Sequence, residues 1–293
     1  MRPAGPPCAA EELTDAAIAS LLADAALVFF DGRLAECGER LAAAAAAARV
    51  PVLCEAERLR PGLEALLHAA DVVVASASFP TAWTGHASVP EALVEMAARL
   101  PRARLIVATQ GAAGCIALER EEAGAASAGA SDVAEPSAVV AALREDAKRA
   151  ATPPPPLDAL PAPRDAVASM PLRLRRPPPP PPAALAAAAA AAAAANADAA
   201  NASRYAATHG GAGGVIVAAR LLHAPAAATS RVVDTTGAGD AFIGALCYGR
   251  VAGLRTEAAL RLAAWVAATK CRALGPRPGL PWRDEVPPHL LAP

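Results

Sequence analysis

Residues Asp234 to Phe242 read Asp-Thr-Thr-Gly-Ala-Gly-Asp-Ala-Phe, between a short apolar stretch and a pattern with helical spacing. Gly237 and Gly239 flank Ala238, which lets the backbone turn tightly and aim successive N–H groups outward at a helix N-terminus, where the macrodipole adds positive potential. That is an anion cradle. Asp240 falls in the positive end, held ionised and within reach of whatever the cradle binds, as a base taking a hydroxyl proton during phosphoryl transfer must be. The alternative is a carboxylate that only stabilises a helix start, and a bare Gly-Ala-Gly is an ordinary strand-to-helix turn about as often as a ligand site.

A second glycine-bearing turn, Thr109-Gln110-Gly111-Ala112-Ala113-Gly114, follows an apolar run. Glycine permits the close backbone approach that a nucleotide needs, and a plain hairpin turn has the same composition. The six cysteines are scattered without a CxxC pair, and the five histidines stand alone, so neither type reads as a metal set. The cysteines are expected as small buried hydrophobes.

These turns need a frame to hold them. Ala25 to Phe30, Val52 to Cys54, Val72 to Ala75, Arg104 to Ala108 and Cys115 to Leu118 read as buried strands. Leu34 to Arg49, Pro61 to His68 and Pro90 to Leu100 read as the intervening helices, with Pro61 and Pro90 acceptable in a first turn. Strands alternating with helices predict an α/β architecture with a mostly parallel sheet covered on both faces. Further on, Gly214 to Ala218 and Arg231 to Val233 are strand candidates. Phe242, Ala245, Leu246 and Gly249 mark the inner face of a long helix that Gly253 ends. Thr256 is expected to cap a second helix with Leu262, Trp265, Val266 and Thr269 inward and a Glu257 to Arg261 pair along it.

Between these halves, residues 121–203 collapse into Ala, Ser, Gly and Pro and read as an inserted, disordered segment, with one local helix at Ser137 to Ala150. Arg173, Arg175 and Arg176 there are either a docking peptide or solvated linker charges. The domains are therefore 11–120, the 121–203 insertion, and 204–285. A net charge of -1 gives no long-range field for nucleic acid or an anionic membrane. The longest apolar run is nearly pure alanine, so no membrane span is expected. The start lacks a secretory h-region, which predicts a cytoplasmic protein and leaves room only for a short organellar presequence.

Val232 to Phe242 (VVDTTGAGDAF) closely resembles the signature of the ribokinase-like, or PfkB, carbohydrate and nucleoside kinases. The resemblance implies a three-layer α/β/α sandwich, ATP with Mg2+ as cofactor, and Asp240 as catalytic base, with the amides of Gly237, Ala238 and Gly239 stabilising the transferred phosphoryl group. Asp234 and Thr236 match positions that hold a monovalent cation, K+, in some members. The alternative for Asp234 is a turn cap. Thr109, Gly111 and Gly114 match the turn that lines the nucleotide. Phe30 to Arg33, Glu55 to Arg60 and Trp83-Thr84-Gly85 are similar to the ketohexokinase-like branch, and Lys270 to Gly279 to the stretch that closes over the adenine and cation sites.

The sequence departs from that pattern at Ser76 and Phe79, where many members carry Asn-x-x-Glu, and the resemblance covers about 25–120 and 204–285, the C-terminal part of the family domain. The N-terminal lid that grips the sugar is expected to be missing. The leading reading is ATP-dependent phosphoryl transfer to a hydroxyl of a sugar or sugar-like molecule. The alternative is a non-catalytic nucleotide-binding or interaction module, its sheet edge completed by a second copy or another partner. A Rossmann dehydrogenase is disfavoured, because Gly32 lacks the companion glycines of that fingerprint.

Overall fold

The computed structural model describes residues 13–120, 133–134, 138–142, 144–145, 168–175, 216–229 and 231–292. The chain divides into two compact units, residues 1–106 with 176–215 and residues 107–175 with 216–293.

In the first unit, β1 (Val28–Phe30), β2 (Val52–Ala56) and β3 (Val72–Ala75) pair in parallel, with Val28 opposite Val52 and Leu53 opposite Val72. Val72, Val73 and Val74 are all buried, the mark of a strand covered on both faces. Asp71 fixes the register from outside the ladder: its Oδ2 accepts the Val52 amide at 2.9 Å and an Arg102 N–H at 3.1 Å. The helices are α1 (Asp15–Leu22), α2 (Ala35–Ala47), α3 (Leu63–Ala69), α4 (Phe79–Thr84) and α5 (Val89–Arg99). The alanines of α2 have a packing purpose. Ala42 and Ala45 are fully buried, and a Cβ on Gly38 would come within 2.8 Å of Leu66, so only small residues let α2 lie this close to α3. Ser88 caps α5 by accepting the Glu91 amide, with Pro90 in the first turn.

Helix α4 is absent from the sequence expectation. Its six residues leave no amphipathic period to detect, and it exists because Phe79 and Trp83 stack at 6.1 Å while Arg99 lies 5.1 Å over the Trp83 ring. Arg99 Nε also donates to Glu95 Oε1 at 2.7 Å with both side chains buried. Phe79 is thus core, and the Ser76 hydroxyl donates to the Glu57 carbonyl at 2.8 Å.

Strand β4 (Leu105–Thr109) carries the chain from the first unit into the second. There β5 (Cys115–Arg120), β8 (Ile216–Ala224), β7 (Ala168–Arg175) and β6 (Val133–Ala134) follow one another in space. The β5/β8 and β8/β7 pairs are antiparallel, and the β7/β6 pair is parallel. The stretch expected as an insertion therefore contains paired strand. Arg173 and Arg175 lie in β7, opposite Ala218 and Ile216, and the signal for it is Met170, Leu172 and Leu174 alternating at period two. Residues 138–142 and 144–145 are helical, inside the helix expected at Ser137 to Ala150. Arg176 and the rest of that stretch lie outside the described residues.

Helices α6 (Ala238–Val251) and α7 (Thr256–Lys270) complete this unit. Phe242, Ala245, Leu246, Leu262 and Trp265 are buried as their spacing predicts, whereas Val266 and Thr269 are half-buried. A Cβ on Gly249 would stand 2.9 Å from that of Ala259, which sets how closely α6 and α7 approach. Two expectations fail at the start of α7. Thr256 is its first residue rather than its cap, and its hydroxyl donates to Glu119 Oε1 on β5. Glu257 pairs with Arg220 of β8 at 2.7 Å. A long-range guanidinium wins over intrahelical spacing because it bridges two carboxylates, Glu257 and Glu119. Among the described residues no helix is long and apolar enough to cross a membrane.

Candidate active site

Arg231 to Val233 were expected as a strand leading into the motif, and they run instead, with Asp234 and Thr235, as irregular backbone. The amides of Val233 and Asp234 donate not to a sheet neighbour but to one acceptor, the Cys271 carbonyl just past α7, at 2.8 and 3.2 Å. With nothing covering them, Val232 and Val233 are exposed.

Gly237 then makes the turn into α6 with φ at +80°, a left-handed conformation that glycine adopts without a Cβ penalty. A Cβ there would also meet Pro276 at 3.0 Å, so the 276 loop and the helix start are packed together. The Ala238 amide donates back to the Thr235 carbonyl at 3.0 Å. Among the described residues the amides of Gly239 and Asp240 meet no backbone acceptor, and the space beside Gly239 is open. Of the three expected cradle positions, Ala238 is thus committed to its own turn. The amide of Asp240 takes its place beside that of Gly239.

Asp240 is exposed in the first turn of α6 and lines a cavity of about 380 Å³ shared with Gly237, Ala241, Tyr248, Leu262 and Arg283. Apolar groups form most of its wall, and the Asp240 carboxylate and the Arg283 guanidinium supply charge at the same cavity. A mostly apolar pocket with a few convergent polar groups is the usual form of a small-molecule site.

Asp234 is tied down on all three of its oxygens. Oδ1 accepts the Thr236 amide at 2.9 Å, Oδ2 the Gly275 amide at 2.8 Å, and the main-chain carbonyl the Nζ of Lys270 at 2.8 Å. The Thr236 amide first, then its hydroxyl and the Gly275 amide, hold the Asp234 carboxyl down at about 2. Each of these oxygens accepts one N–H and keeps a second lone pair, and the Lys270 ammonium already supplies a positive charge at the Asp234 carbonyl. Magnesium makes a smaller demand on the chain. It is bound through substrate phosphates and one or two carboxylates, so Asp240 and the two outward amides fit a nucleotide phosphate with its metal. Among the described residues no cluster of three or more His, Cys, Asp or Glu could hold a metal alone.

The Thr109 turn is a separate piece of the second unit. Thr109 ends β4, residues Gly111–Ala113 form one 3-10 turn, and the Gln110 amide donates to the Gly114 carbonyl at 2.7 Å. Gly114 sits at φ +84° against the end of β8, and Gly111, at φ +55°, has nothing within 4 Å of where its Cβ would be. Arg144 donates to the Gln110 side chain at 2.6 Å. Lys270, Gly275 and Pro276 fall in the Lys270 to Gly279 stretch that the resemblance marked as closing over the cation site, but the motif gave none of them a role of its own. Lys270 had a signal: it is one of only two lysines in a chain whose Lys and Arg total 27.

Residues 182–283 match the pfkB family carbohydrate kinase model. The recognition of that family stands on this part of the chain, and the narrower likeness to the ketohexokinase-like branch rests on the sequence motifs alone. Among solved structures, the chain is similar to an Arabidopsis thaliana ribokinase complexed with ribose and ATP. The two share 16% identity at a TM-score of 0.56, over 94% of this chain and 59% of that one. A Thermotoga maritima ribokinase matches at 14% identity and a TM-score of 0.52, over 96% of this chain and 60% of that one. An Escherichia coli protein assigned as a ribokinase II, solved with ATP and Mg2+, gives 12% identity and 0.52, over 93% and 59%. The fold is ribokinase-like α/β. The chain spans about 60% of the length of these structures. No curated protein matches the sequence.

Proposed function

We propose that this chain carries the catalytic part of a PfkB-type kinase that transfers the γ-phosphoryl group of ATP to a hydroxyl of a sugar or sugar-like molecule. The observation behind the reading is the start of α6. An exposed carboxylate, Asp240, shares one turn with two outward amides, beside open space at Gly239 and a small cavity.

Bound ATP with Mg2+ supplies the phosphoryl group and neutralises part of its charge. The chain does the rest by position. The amides of Gly239 and Asp240, at the positive end of a 14-residue helix, hold anionic oxygens without reorganising. Asp240 accepts the proton of the attacking hydroxyl as it is placed against the phosphorus. Gly237 and Pro276 fix the angle at which the helix start meets the phosphate.

The test uses the purified full chain with ATP, Mg2+ and a panel of sugars, reading ADP release alongside binding of a fluorescent ATP analogue. The expected result is turnover with at least one sugar, lost in Asp240→Asn while analogue binding is kept. Equal turnover in the variant would discard this mechanism. Analogue binding with no sugar phosphorylated would favour the second reading, a nucleotide-binding module that works with a partner.

A further inference from the structure

Lys270 ends α7 and is fully buried, one of the largest wholly enclosed side chains in the protein. A lysine seldom sits there, because removing an ammonium from water is costly unless it is paired. Among the described residues its Nζ has no carboxylate oxygen within ion-pair distance. Its acceptor is the main-chain carbonyl of Asp234 at 2.8 Å, and its charge helps hold the nearby Asp234 carboxylate ionised. Carbonyl oxygens replacing a hydration shell are the usual surroundings of a potassium ion, and an ammonium group of similar size is satisfied by the same oxygens.

The backbone closes around this point. Val233 and Asp234 donate to the Cys271 carbonyl, one residue past Lys270, and Gly275 donates to the Asp234 carboxylate. A Cβ on Gly279 would stand 2.3 Å from the Lys270 carbonyl oxygen, so the 271–279 loop turns back onto the main chain of Lys270. The loop before α6 and the loop after α7 are therefore joined about one buried cation that belongs to the chain.

The geometry points to Lys270 as a built-in monovalent cation, a positioning residue whose ammonium joins the Asp234 and Gly275 loops and makes their assembly independent of potassium. The inference concerns how the loops are held and does not require the kinase reading.

The test is thermal unfolding of the full chain in potassium, sodium, ethylammonium and tetramethylammonium chloride at equal ionic strength. The wild-type midpoint is expected to be the same in all four within about 1 °C. An ion bound at ten times its Kd would raise it by about 3–6 °C, and such a rise in potassium over tetramethylammonium overturns the inference. Lys270→Ala is expected to melt several degrees lower in tetramethylammonium and to recover part of the loss in potassium or ethylammonium, which refill the vacated place. A loss equal in all four salts would make Lys270 a packing residue only and overturn the cation role. Should Lys270→Ala fail to fold, Lys270→Met, which keeps the stem and removes the charge, is read in the same four salts with the same two outcomes.

Discussion

Gly114 lies so close to Ala224 that a Cβ on it would stand 2.1 Å from the Ala224 carbonyl oxygen, and 2.7 Å from main-chain atoms of Pro225 and Ala226. Three residues earlier, Gly111 has open space around it. The two glycines of one turn thus have opposite tolerances. Gly111→Ala bears only the left-handed backbone penalty, about 1 kcal/mol, whereas Gly114→Ala must also move the end of β8, at a cost of about 3 kcal/mol or more. Urea unfolding of both variants checks this. Equal losses would mean that the turn can shift away from β8.

The cysteines give a chemical readout of the same packing. Burial pushes the Cys54 and Cys115 thiols up to about 12, so neither offers thiolate near neutral pH. Cys247 is only half-buried, and burial raises it as well. Iodoacetamide at pH 8 should therefore leave Cys54 and Cys115 unlabelled in the folded protein, with Cys247 reacting ahead of them, and should label all three in urea. Peptide mass mapping reads the sites. Labelling of Cys115 at the Cys247 rate would show that β5 opens easily.

Asp234 predicts a pH dependence. Its carboxyl titrates at about 2 in the fold because the Thr236 amide, the Thr236 hydroxyl and the Gly275 amide all favour the ionised form. In the unfolded chain an aspartate titrates near ~3.9. A depressed folded value means that the stabilisation is whole above the unfolded value and is lost as pH falls through the folded one. The midpoint gap between wild type and Asp234→Asn should hold steady from pH 7 to about 4 and narrow below that. A gap that stays constant down to pH 3 would show that the carboxylate's charge is not what ties the loops.

Much of this was legible from side-chain type alone. Strands β2 to β5 announce themselves as apolar runs and are mostly buried, whereas β1, read the same way, is half-buried with Phe29 exposed, and the inner faces of α6 and α7 follow the helical period. Asp240 and its glycines could be read because the motif is contiguous and its chemistry is local. What escaped depended on distant partners. Arg231 to Val233 look like a strand, but the Cys271 carbonyl captures the Val233 and Asp234 amides, and α4 is too short to show a period. Thr256 and Glu257 look like a helix start, yet β5 and β8 claim both side chains. No spacing rule pairs Asp234 with Gly275, 41 positions on.

That last class of contact supports a final prediction. Arg220 donates through Nη1 to Glu257 at 2.7 Å and through Nη2 to Glu119, whose other oxygen accepts the Thr256 hydroxyl. All three charged side chains are less than a third exposed. Burial works against ionising Glu257, but its own helix-start amide and the Arg220 guanidinium prevail and keep the carboxyl below its usual range. Arg220→Met keeps the length of the stem and leaves two carboxylates facing each other with only the exposed Arg255, 3.9 Å from Glu257, as a nearby cation. Removing one partner of such a cluster costs about 2–3 kcal/mol, below the fully buried case because some water still reaches it. Equilibrium unfolding in urea should show that loss near neutral pH. Adding Glu119→Gln to the variant should return part of it, since one neutral amide ends the repulsion. Because the folded carboxyl is depressed, the deficit should shrink as pH falls toward the carboxylate range. A single variant as stable as the wild type would show that β8 and α7 are held by their apolar contacts alone.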